Sequence, residues 1–203
     1  MVTPDHDLLL RETNHRCGNA LQLVVSLLGL QSRRAASEET RQALNDAMER
    51  IAVLARARVA MTRDDQPSLE EALRQICEAL HAQAEPRSIL ISLRVAHEAR
   101  GLSSTQITTV ALVVNELATN AIKHAFEEGK SGHIQVTVGR AAGGGVTVLI
   151  DDDGLPFPDN THAGGDGLGL GLAKRLMASI CGLFIPPRPG SKGFELRVPV
   201  ASD

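Results

Sequence analysis

The 203-residue chain contains no tryptophan and no tyrosine, and four phenylalanines are its only aromatic side chains. Because 43% of the residues are nevertheless hydrophobic, the core must be built from aliphatic side chains. A chain of this length forms one large domain or two small ones, and it can bury an adequate core. The composition therefore indicates a globular protein with an aliphatic interior.

Other absences exclude several classes of protein. The cysteines Cys17, Cys77 and Cys181 form no Cys-x-x-Cys pair, which argues against a zinc site or a disulfide framework and favours a reducing, cytoplasmic location. No apolar run approaches the roughly 20 residues that span a bilayer, and the N-terminus lacks a secretory signal, so we expect no direct membrane insertion. The net charge is −3 with dispersed basic residues, so we expect no nucleic-acid partner.

The N-terminal region has the pattern of two long helices. Thr3-Pro4-Asp5 supplies an N-cap, a proline in the first turn and an acid, and the helix can continue to about residue 34. Ser37 begins a second helix with an apolar stripe, and two such helices make an antiparallel hairpin that needs a second hairpin to bury its stripe. We therefore predict a four-helix bundle formed by a homodimer. The stripe comprises Leu44, Ala47, Met48, Ile51, Leu54, Ala55 and Val59.

A second region follows the polar segment 62–67, which ends in Pro67. We place the boundary there, giving a hairpin domain at 1–66 and a second domain at 67–203. Ser68 and Glu71 have the spacing of a capping box. Helices and strands then alternate, which predicts an α+β fold: an α/β sandwich with helices on one face of a mixed, largely antiparallel sheet. The predicted helices are 68–84, 104–127 and 168–180, and the predicted strands are 89–95, 133–140, 146–151 and 193–200.

His15 lies on a polar face of the first predicted helix. At 100° per residue it shares a narrow arc with Glu12 and Asn19, which continues through Gln22 and Ser26. An ordinary surface histidine on an amphipathic helix explains this pattern equally well. A neutral imidazole on an exposed face is also a competent nucleophile near neutral pH. The apolar residues Leu10, Cys17, Leu21, Val24 and Leu28 occupy the opposite arc.

Three features of the second region have the chemistry of a nucleotide site. Glu116, Asn120 and Lys123 share one arc of a predicted helix, where an amide oxygen can complete the shell of a phosphate-bound Mg²⁺ and a lysine can offset phosphate charge. Asp152 continues the buried side of a strand, and a carboxylate there needs a partner. Glycines before a helix let the backbone approach phosphates. Those glycines are Gly165, Gly167 and Gly169, and Gly154 follows Asp152 in the preceding turn.

Together these motifs give a resemblance that covers the chain from about residue 8 to residue 200. The run from Glu12 through His15-Arg16-Cys17-Gly18-Asn19 resembles the phosphoacceptor box of the HRxxN and HWE branch of sensor histidine kinases. The run 115–125, the Asp152-Asp153-Gly154 turn and the glycine ladder resemble the nucleotide-binding boxes of the GHKL ATPase superfamily.

The resemblance implies a role for each residue. His15 would be the phosphoacceptor, and Asn19 would serve the phosphatase reaction. Asn120 would hold Mg²⁺ and Lys123 would contact the phosphates of ATP, while Glu116 would polarise a water or a metal ligand. In the glycine ladder and the turn, the backbone would approach the nucleotide. The remaining assignment is Asp152, which would accept a hydrogen bond from the adenine amino group.

The sequence departs from the family at several points. Arg16 stands where the commoner kinase branch has an acid that helps to deprotonate the histidine, so Glu12 is a candidate base by helical position only. Pro156 replaces a frequent glycine in the turn beside the nucleotide. Pro186-Pro187 interrupts an expected strand. The run Asp151-Asp152-Asp153 leaves the adenine-binding carboxylate uncertain by one position.

The sequence therefore predicts an ATP-dependent protein-histidine kinase of a two-component system. Its cofactors would be ATP and Mg²⁺, and its partners a response regulator receiver domain and a second copy of itself. A histidine phosphotransferase that has lost ATP binding is the main alternative. An anti-sigma-factor serine kinase shares the fold but does not need the hairpin, and a pure interaction module needs neither site.

Overall fold

A computed structural model describes residues 4–60, 68–141, 144–156, 168–188 and 191–200, without the side chains of 4–16, 58–60 and 168. Two long helices come first, α1 at Pro4–Arg34 and α2 at Glu38–Ala60, and they pack along each other as a hairpin. The Ser37 hydroxyl caps α2 by accepting a 3.1 Å hydrogen bond from the Thr40 N–H. The predicted hairpin is confirmed in both helices.

The described part of the second region contains three further α-helices. They are α3 at Leu69–Ala84, α4 at Ser104–His124 and α5 at Leu168–Ser179. A reciprocal capping box of Ser103 and Gln106 begins α4. This helix ends three residues earlier than predicted. The first residue beyond it, Ala125, makes a last helical bond to Ala121 and leaves its own carbonyl to accept from Leu155. Within the described residues, no helix combines the length and hydropathy needed to cross a bilayer.

Across the described ranges, the sheet has five strands in the order β1-β2-β3-β5-β4. Only the β1–β2 pair is parallel, so the sheet is mixed and largely antiparallel as predicted. The strand that the sequence analysis expected to be interrupted by Pro186-Pro187, without giving it bounds, is β4, which has three residues and ends immediately before Pro186. The strands are β1 at Ile89–Val95, β2 at Gly132–Arg140, β3 at Val146–Asp152, β4 at Leu183–Ile185 and β5 at Phe194–Val198.

Alternate residues of the central strands bury an aliphatic face under the helices. Val146, Val148 and Ile150 of β3 are at most 4% exposed, and the intervening Leu149 is 40% exposed. The helix α4 covers this face with Ile107, Val110, Ala111 and Val114, each fully buried. The architecture is therefore a two-layer α/β sandwich with an aliphatic core, in agreement with the composition.

The hairpin also packs against the sandwich, which the sequence did not predict. Val53 and Ala57 of α2 are both completely buried and belong to the same hydrophobic cluster as the core of the second region. They lie on a side of α2 that contacts α3 and α4. The stripe predicted at Leu44, Met48 and Ile51 is half-buried. One helix thus serves two interfaces.

We expect Val53→Ala to lower the free energy of unfolding by about 1–3 kcal/mol, through lost burial and the cavity left behind. Val95→Ala is the matched control, because Val95 is 40% exposed at the end of β1 and should change the stability by less than about 0.5 kcal/mol. Urea unfolding followed by circular dichroism measures both. Equal effects of the two substitutions would show that α2 is not part of the core.

Candidate functional site

A cavity of about 660 Å³ lies between α2, α4, the end of β3 and the start of α5. It brings together the residues predicted from three separate motifs: Glu116, Asn120 and Lys123 from α4, Asp152 from β3 and Gly169 from α5. Hydrophobic side chains complete its wall. These include Leu117, Ile150, Leu155, Leu170 and Phe194.

The helix α4 positions the polar side of this cavity because its two faces differ. Residues Val110, Val114 and Ala118 are buried under the sheet, which fixes the rotation of the helix about its axis. Glu116 and Asn120 then face the cavity, one helical turn apart.

Asp152 is the carboxylate of the Asp151-Asp152-Asp153 run that faces the cavity. It follows Val148 and Ile150 on the buried side of β3, whereas Asp151 is exposed on the other side. The Asp153 carboxylate instead accepts a 2.7 Å hydrogen bond from the backbone N–H of His133. The structure therefore favours Asp152 over its two neighbours as the carboxylate that contacts a ligand in this cavity.

The environment of Asp152 combines burial with two compensating groups. Burial raises the pKa of the Asp152 carboxyl above its ordinary value. The Gly154 N–H, which donates a 3.0 Å hydrogen bond to Oδ1, and the nearby Lys192 ammonium oppose this rise. The carboxyl group is thus partly desolvated and retains acceptor capacity toward the cavity.

Gly154 allows the turn after β3 to lie directly on the end of α4. A Cβ at this position would be 2.3 Å from the Ala125 carbonyl oxygen, so no larger residue fits without a backbone shift. The Leu155 N–H donates a 2.6 Å hydrogen bond to that same carbonyl, and the Lys192 ammonium donates to the Gly154 carbonyl. These contacts hold Asp152 in place beside α4, and Pro156 lines the cavity next to them.

Gly169 brings the beginning of α5 against the polar face of α4. A Cβ there would be 3.2 Å from Asn120 Nδ2 and 3.4 Å from Glu116 Oε2. The glycine therefore permits the close approach of two motifs that are distant in sequence. Gly165 and Gly167, the other two glycines of the ladder, lie outside the described residues.

The helix α2 contributes charged residues to this cavity that the sequence analysis missed. Arg50 donates two hydrogen bonds to the Glu116 carboxylate, both 2.9 Å long, and this bond raises the pKa of Arg50. Asp46 lies 3.4 Å from the Lys123 ammonium. Little in the sequence indicated this role for Asp46 and Arg50, because an acid and a base four residues apart are common on solvated helices.

His15 lies within α1, but its side chain and that of Glu12 are outside the described residues. Asn19 is exposed one turn further along, and so are Gln22 and Ser26, which confirms the described part of the predicted polar arc. The opposite arc differs from the prediction at Val24, which is 41% exposed. A single hairpin therefore leaves part of the apolar face of α1 uncovered.

Within the described residues, no group of three or more histidine, cysteine, aspartate or glutamate side chains could hold a metal ion. A Mg²⁺ ion bound together with a nucleotide takes most of its ligands from phosphates and water and needs only one or two from the protein. The side-chain amide of Asn120 suits that limited role.

Comparison with known proteins defines the class of this fold and site. The model of the histidine kinase-like ATPase domain matches residues 79–182, and a histidine kinase model matches residues 12–84, which includes His15. The chain therefore belongs to the histidine kinases, in the HWE-type branch that the sequence motifs indicated.

Individual relatives agree with this assignment. The chain is 33% identical over 178 residues to the sensor histidine kinase PdtaS of Mycobacterium tuberculosis, a match of 85% of this chain and 35% of that protein. It is 26% identical over 180 residues to blue-light-activated histidine kinase 2 of Erythrobacter litoralis, covering 86% of this chain and 51% of that one. The chain thus spans about a third to a half of the length of these curated relatives.

A solved structure shows the same fold. The histidine kinase domain of the Erythrobacter litoralis EL346 blue-light activated histidine kinase superposes with a TM-score of 0.67 at 20% identity. The match covers 97% of this chain and 95% of that domain. The predicted arrangement of a helical hairpin followed by a GHKL-type sandwich is therefore confirmed.

Asp152→Asn should separate stability from nucleotide binding. If the oxygen of the new side-chain amide at position 152 keeps the bond to the Gly154 N–H, the amide NH₂ faces the cavity. An NH₂ group cannot accept a hydrogen bond from the amino group of an adenine base. We expect the affinity for an adenine nucleotide to fall about ten- to a hundredfold. Isothermal titration of Asp152→Asn against Asp153→Asn measures the effect, and equal losses would show that Asp152 has no special role.

The same substitution should not destabilise the fold near neutral pH. Because the folded-state pKa of Asp152 is raised, its ionisation favours the unfolded chain as the pH rises above the ordinary value of 3.8. An asparagine side chain cannot ionise, so Asp152→Asn should melt at the same temperature as the parent or slightly higher at pH 7. This difference should disappear below the ordinary carboxyl pKa.

Proposed function

We propose that this chain is the core of an ATP-dependent protein-histidine kinase of a two-component system. It would phosphorylate His15 and pass the phosphoryl group to an aspartate of a response regulator. The observation that carries the proposal is the convergence of Asn120, Lys123, Asp152 and Gly169 on one cavity. The same chain holds the histidine kinase segment 12–84, so acceptor and nucleotide site are joined.

Each cavity residue has a specific role in this proposal. Asp152 accepts a hydrogen bond from the adenine amino group, and the Lys123 ammonium pairs with phosphate oxygens. Asn120 supplies an amide oxygen to Mg²⁺, and Glu116 orients a water or a metal ligand. When bound, Mg²⁺ neutralises charge on the β- and γ-phosphates. The glycines, including Gly165 and Gly167 of the ladder, let backbone N–H groups approach the phosphates.

The chemical step is an in-line displacement at the γ-phosphorus. An imidazole nitrogen of His15 forms the N–P bond, the bond from the γ-phosphorus to the bridging oxygen breaks, and ADP leaves. The proton of the imidazole passes to a base, for which Glu12 is the candidate by helical position. Asn19 lies one turn away on the same helix face, where its exposed amide can orient a water for the phosphatase reaction, in which the water attacks the phosphoryl group of the response regulator and inorganic phosphate leaves.

Transfer to a response regulator follows from the chemistry of the phosphohistidine. A receiver-domain aspartate needs open access to His15, and the exposed residues Asn19, Gln22 and Ser26 provide a polar surface beside it. We place this reaction in the cytoplasm, where ATP is supplied. The phosphotransferase alternative requires a degenerate nucleotide site, whereas Asn120, Lys123 and Asp152 all line the described cavity, which favours the kinase.

The proposal includes a homodimer formed through the hairpin. Leu23, Leu27 and Leu30 of α1 are 62%, 54% and 52% exposed, and their spacing places them along one side of the helix. A second hairpin would cover this stripe and complete a four-helix bundle.

Incubation with MgATP should label His15 alone. The phosphoprotein should be labile in acid and stable in base, as phosphoramidates are. His15→Ala should abolish labelling yet leave the affinity for ATP within about twofold, because α1 does not line the described cavity. Intact-protein mass spectrometry after acid or base treatment gives the readout. An acid-stable phosphoester in the variant would support a serine kinase instead.

Asn120→Ala distinguishes the kinase from the phosphotransferase. Nucleotide can still bind to this variant, but phosphoryl transfer from ATP should fall by at least about a hundredfold without a well-placed metal. Both Asn120→Ala and the parent should accept a phosphoryl group at His15 from a phosphorylated receiver domain. A parent protein that exchanges with the receiver but binds no ATP at millimolar concentration would be a phosphotransferase.

Leu27→Glu should weaken self-association of the full chain, because it places a charge in the exposed α1 stripe. Leu90→Glu is the matched control, since Leu90 of β1 is 52% exposed, close to the 54% of Leu27, but lies outside the hairpin. Sedimentation equilibrium at micromolar concentration should show a dimer for the parent and the control and a monomer for Leu27→Glu. A monomeric parent would rule out the four-helix bundle.

A further inference from the structure

Two ion pairs join α2 to the nucleotide-binding face of α4. The Arg50–Glu116 pair is bidentate, with both N–O distances 2.9 Å, and its side chains are only 31% and 12% exposed. The Asp46–Lys123 pair is longer, at 3.4 Å, and more exposed. We call Asp46 and Arg50 together the α2 latch. The partly buried, bidentate Arg50–Glu116 pair is the stronger of the two contacts.

The charges of the two helices are complementary in order as well as in sign. Asp46 and Arg50 are one turn apart on α2, while Glu116 and Lys123 are two turns apart on α4. The acid of each helix pairs with the base of the other, so the helices run antiparallel at this contact. Both α4 partners are residues to which the proposed kinase function gives a role toward the nucleotide.

The α2 latch opposes nucleotide binding on electrostatic and steric grounds. The Arg50 guanidinium binds Glu116, which lies one helical turn from Asn120. A positive charge therefore lies near the place proposed for Mg²⁺. Asp46 engages Lys123, the cation expected to meet phosphate. Asp46 and Arg50 also line the cavity itself.

We propose that the α2 latch is an autoinhibitory contact that MgATP must break before phosphoryl transfer. This inference rests on the proposed kinase function. In the latched state, Glu116 and Lys123 are satisfied by α2. When the nucleotide binds, these two side chains turn to metal and phosphate and release Asp46 and Arg50 of α2. By reciprocity, any displacement of the hairpin that separates α2 from α4 raises the affinity for MgATP.

The decisive variant is Arg50→Gln, compared with Arg41→Gln. The control removes the same charge from the same helix, because Arg41 pairs with the exposed Glu38 and does not line the cavity. The measurement is titration of the full chain with a non-hydrolysable ATP analogue and Mg²⁺. Hydrogen exchange of residues 42–53, with and without the analogue, gives an independent reading of α2.

We expect Arg50→Gln to bind the analogue about three- to tenfold more tightly than the parent, since the apparent affinity rises with the fraction of unlatched protein. Arg41→Gln should match the parent. In the parent and in Arg41→Gln, the analogue should accelerate exchange in residues 42–53. In Arg50→Gln, that exchange should already be fast without it.

The sign of the effect separates the α2 latch from a simpler role. If Arg50 bound phosphate directly, Arg50→Gln would weaken binding, and this result would overturn the inference. Unchanged affinity with unchanged exchange would also overturn it, leaving the pair a packing contact. If Arg50→Gln fails to fold, Asp46→Asn should still tighten binding by a smaller factor, and weaker or equal binding there refutes the α2 latch.

Failure of the two proposals can be told apart. If the parent binds the analogue but Arg50→Gln does not bind it more tightly, only the α2 latch is wrong. If neither protein binds it at millimolar concentration, the kinase function is wrong, and the inference that rests on it falls as well.

Discussion

The burial of one side of α4 under the sheet is the constraint on which the cavity depends. Val110, Val114 and Ala118 are fully buried, so the helix cannot rotate without exposing them. Their burial fixes Glu116 and Asn120 on the opposite side. The turn at Gly154 and the start of α5 at Gly169 then approach that same helix closely enough to exclude a Cβ or to crowd one. Glu116, Asn120 and Lys123 therefore come from one helix whose rotation is fixed, whereas the glycines let the neighbouring chain approach it.

Most of the fold could be predicted from the sequence because its signals are local. Long helices such as α1 and α2 are indicated by their caps and by apolar spacing, and both bounds of α1 and β1 agreed with the structure. The candidate site could be predicted only through the order of its motifs. Each motif alone has an ordinary structural explanation, but Asn120, Asp152 and Gly169 line one cavity because they occur together on this fold.

The remaining features depend on contacts between distant residues. The pairing of Arg50 with Glu116 joins positions 66 residues apart, and nothing in the local pattern of α2 distinguishes Arg50 from a solvated arginine. The choice of Asp152 among three consecutive acids likewise required the side of β3 that is buried. For β4, the strand is too short for the alternation of its residues to define its bounds. Sequence periodicity identifies elements, while the partners of charged side chains require the tertiary structure.

The burial of Val53 and Ala57 has a consequence for how the protein can be divided. Although a polar segment separates the hairpin from the sandwich in sequence, these two side chains of α2 complete the hydrophobic core formed by α3, α4 and the sheet. An ATPase domain excised after residue 67 would present to water the apolar surface that α2 covers. Such a fragment should have lower solubility and a lower melting temperature than the intact chain. The two regions are thus distinct in their chemistry but share one hydrophobic core.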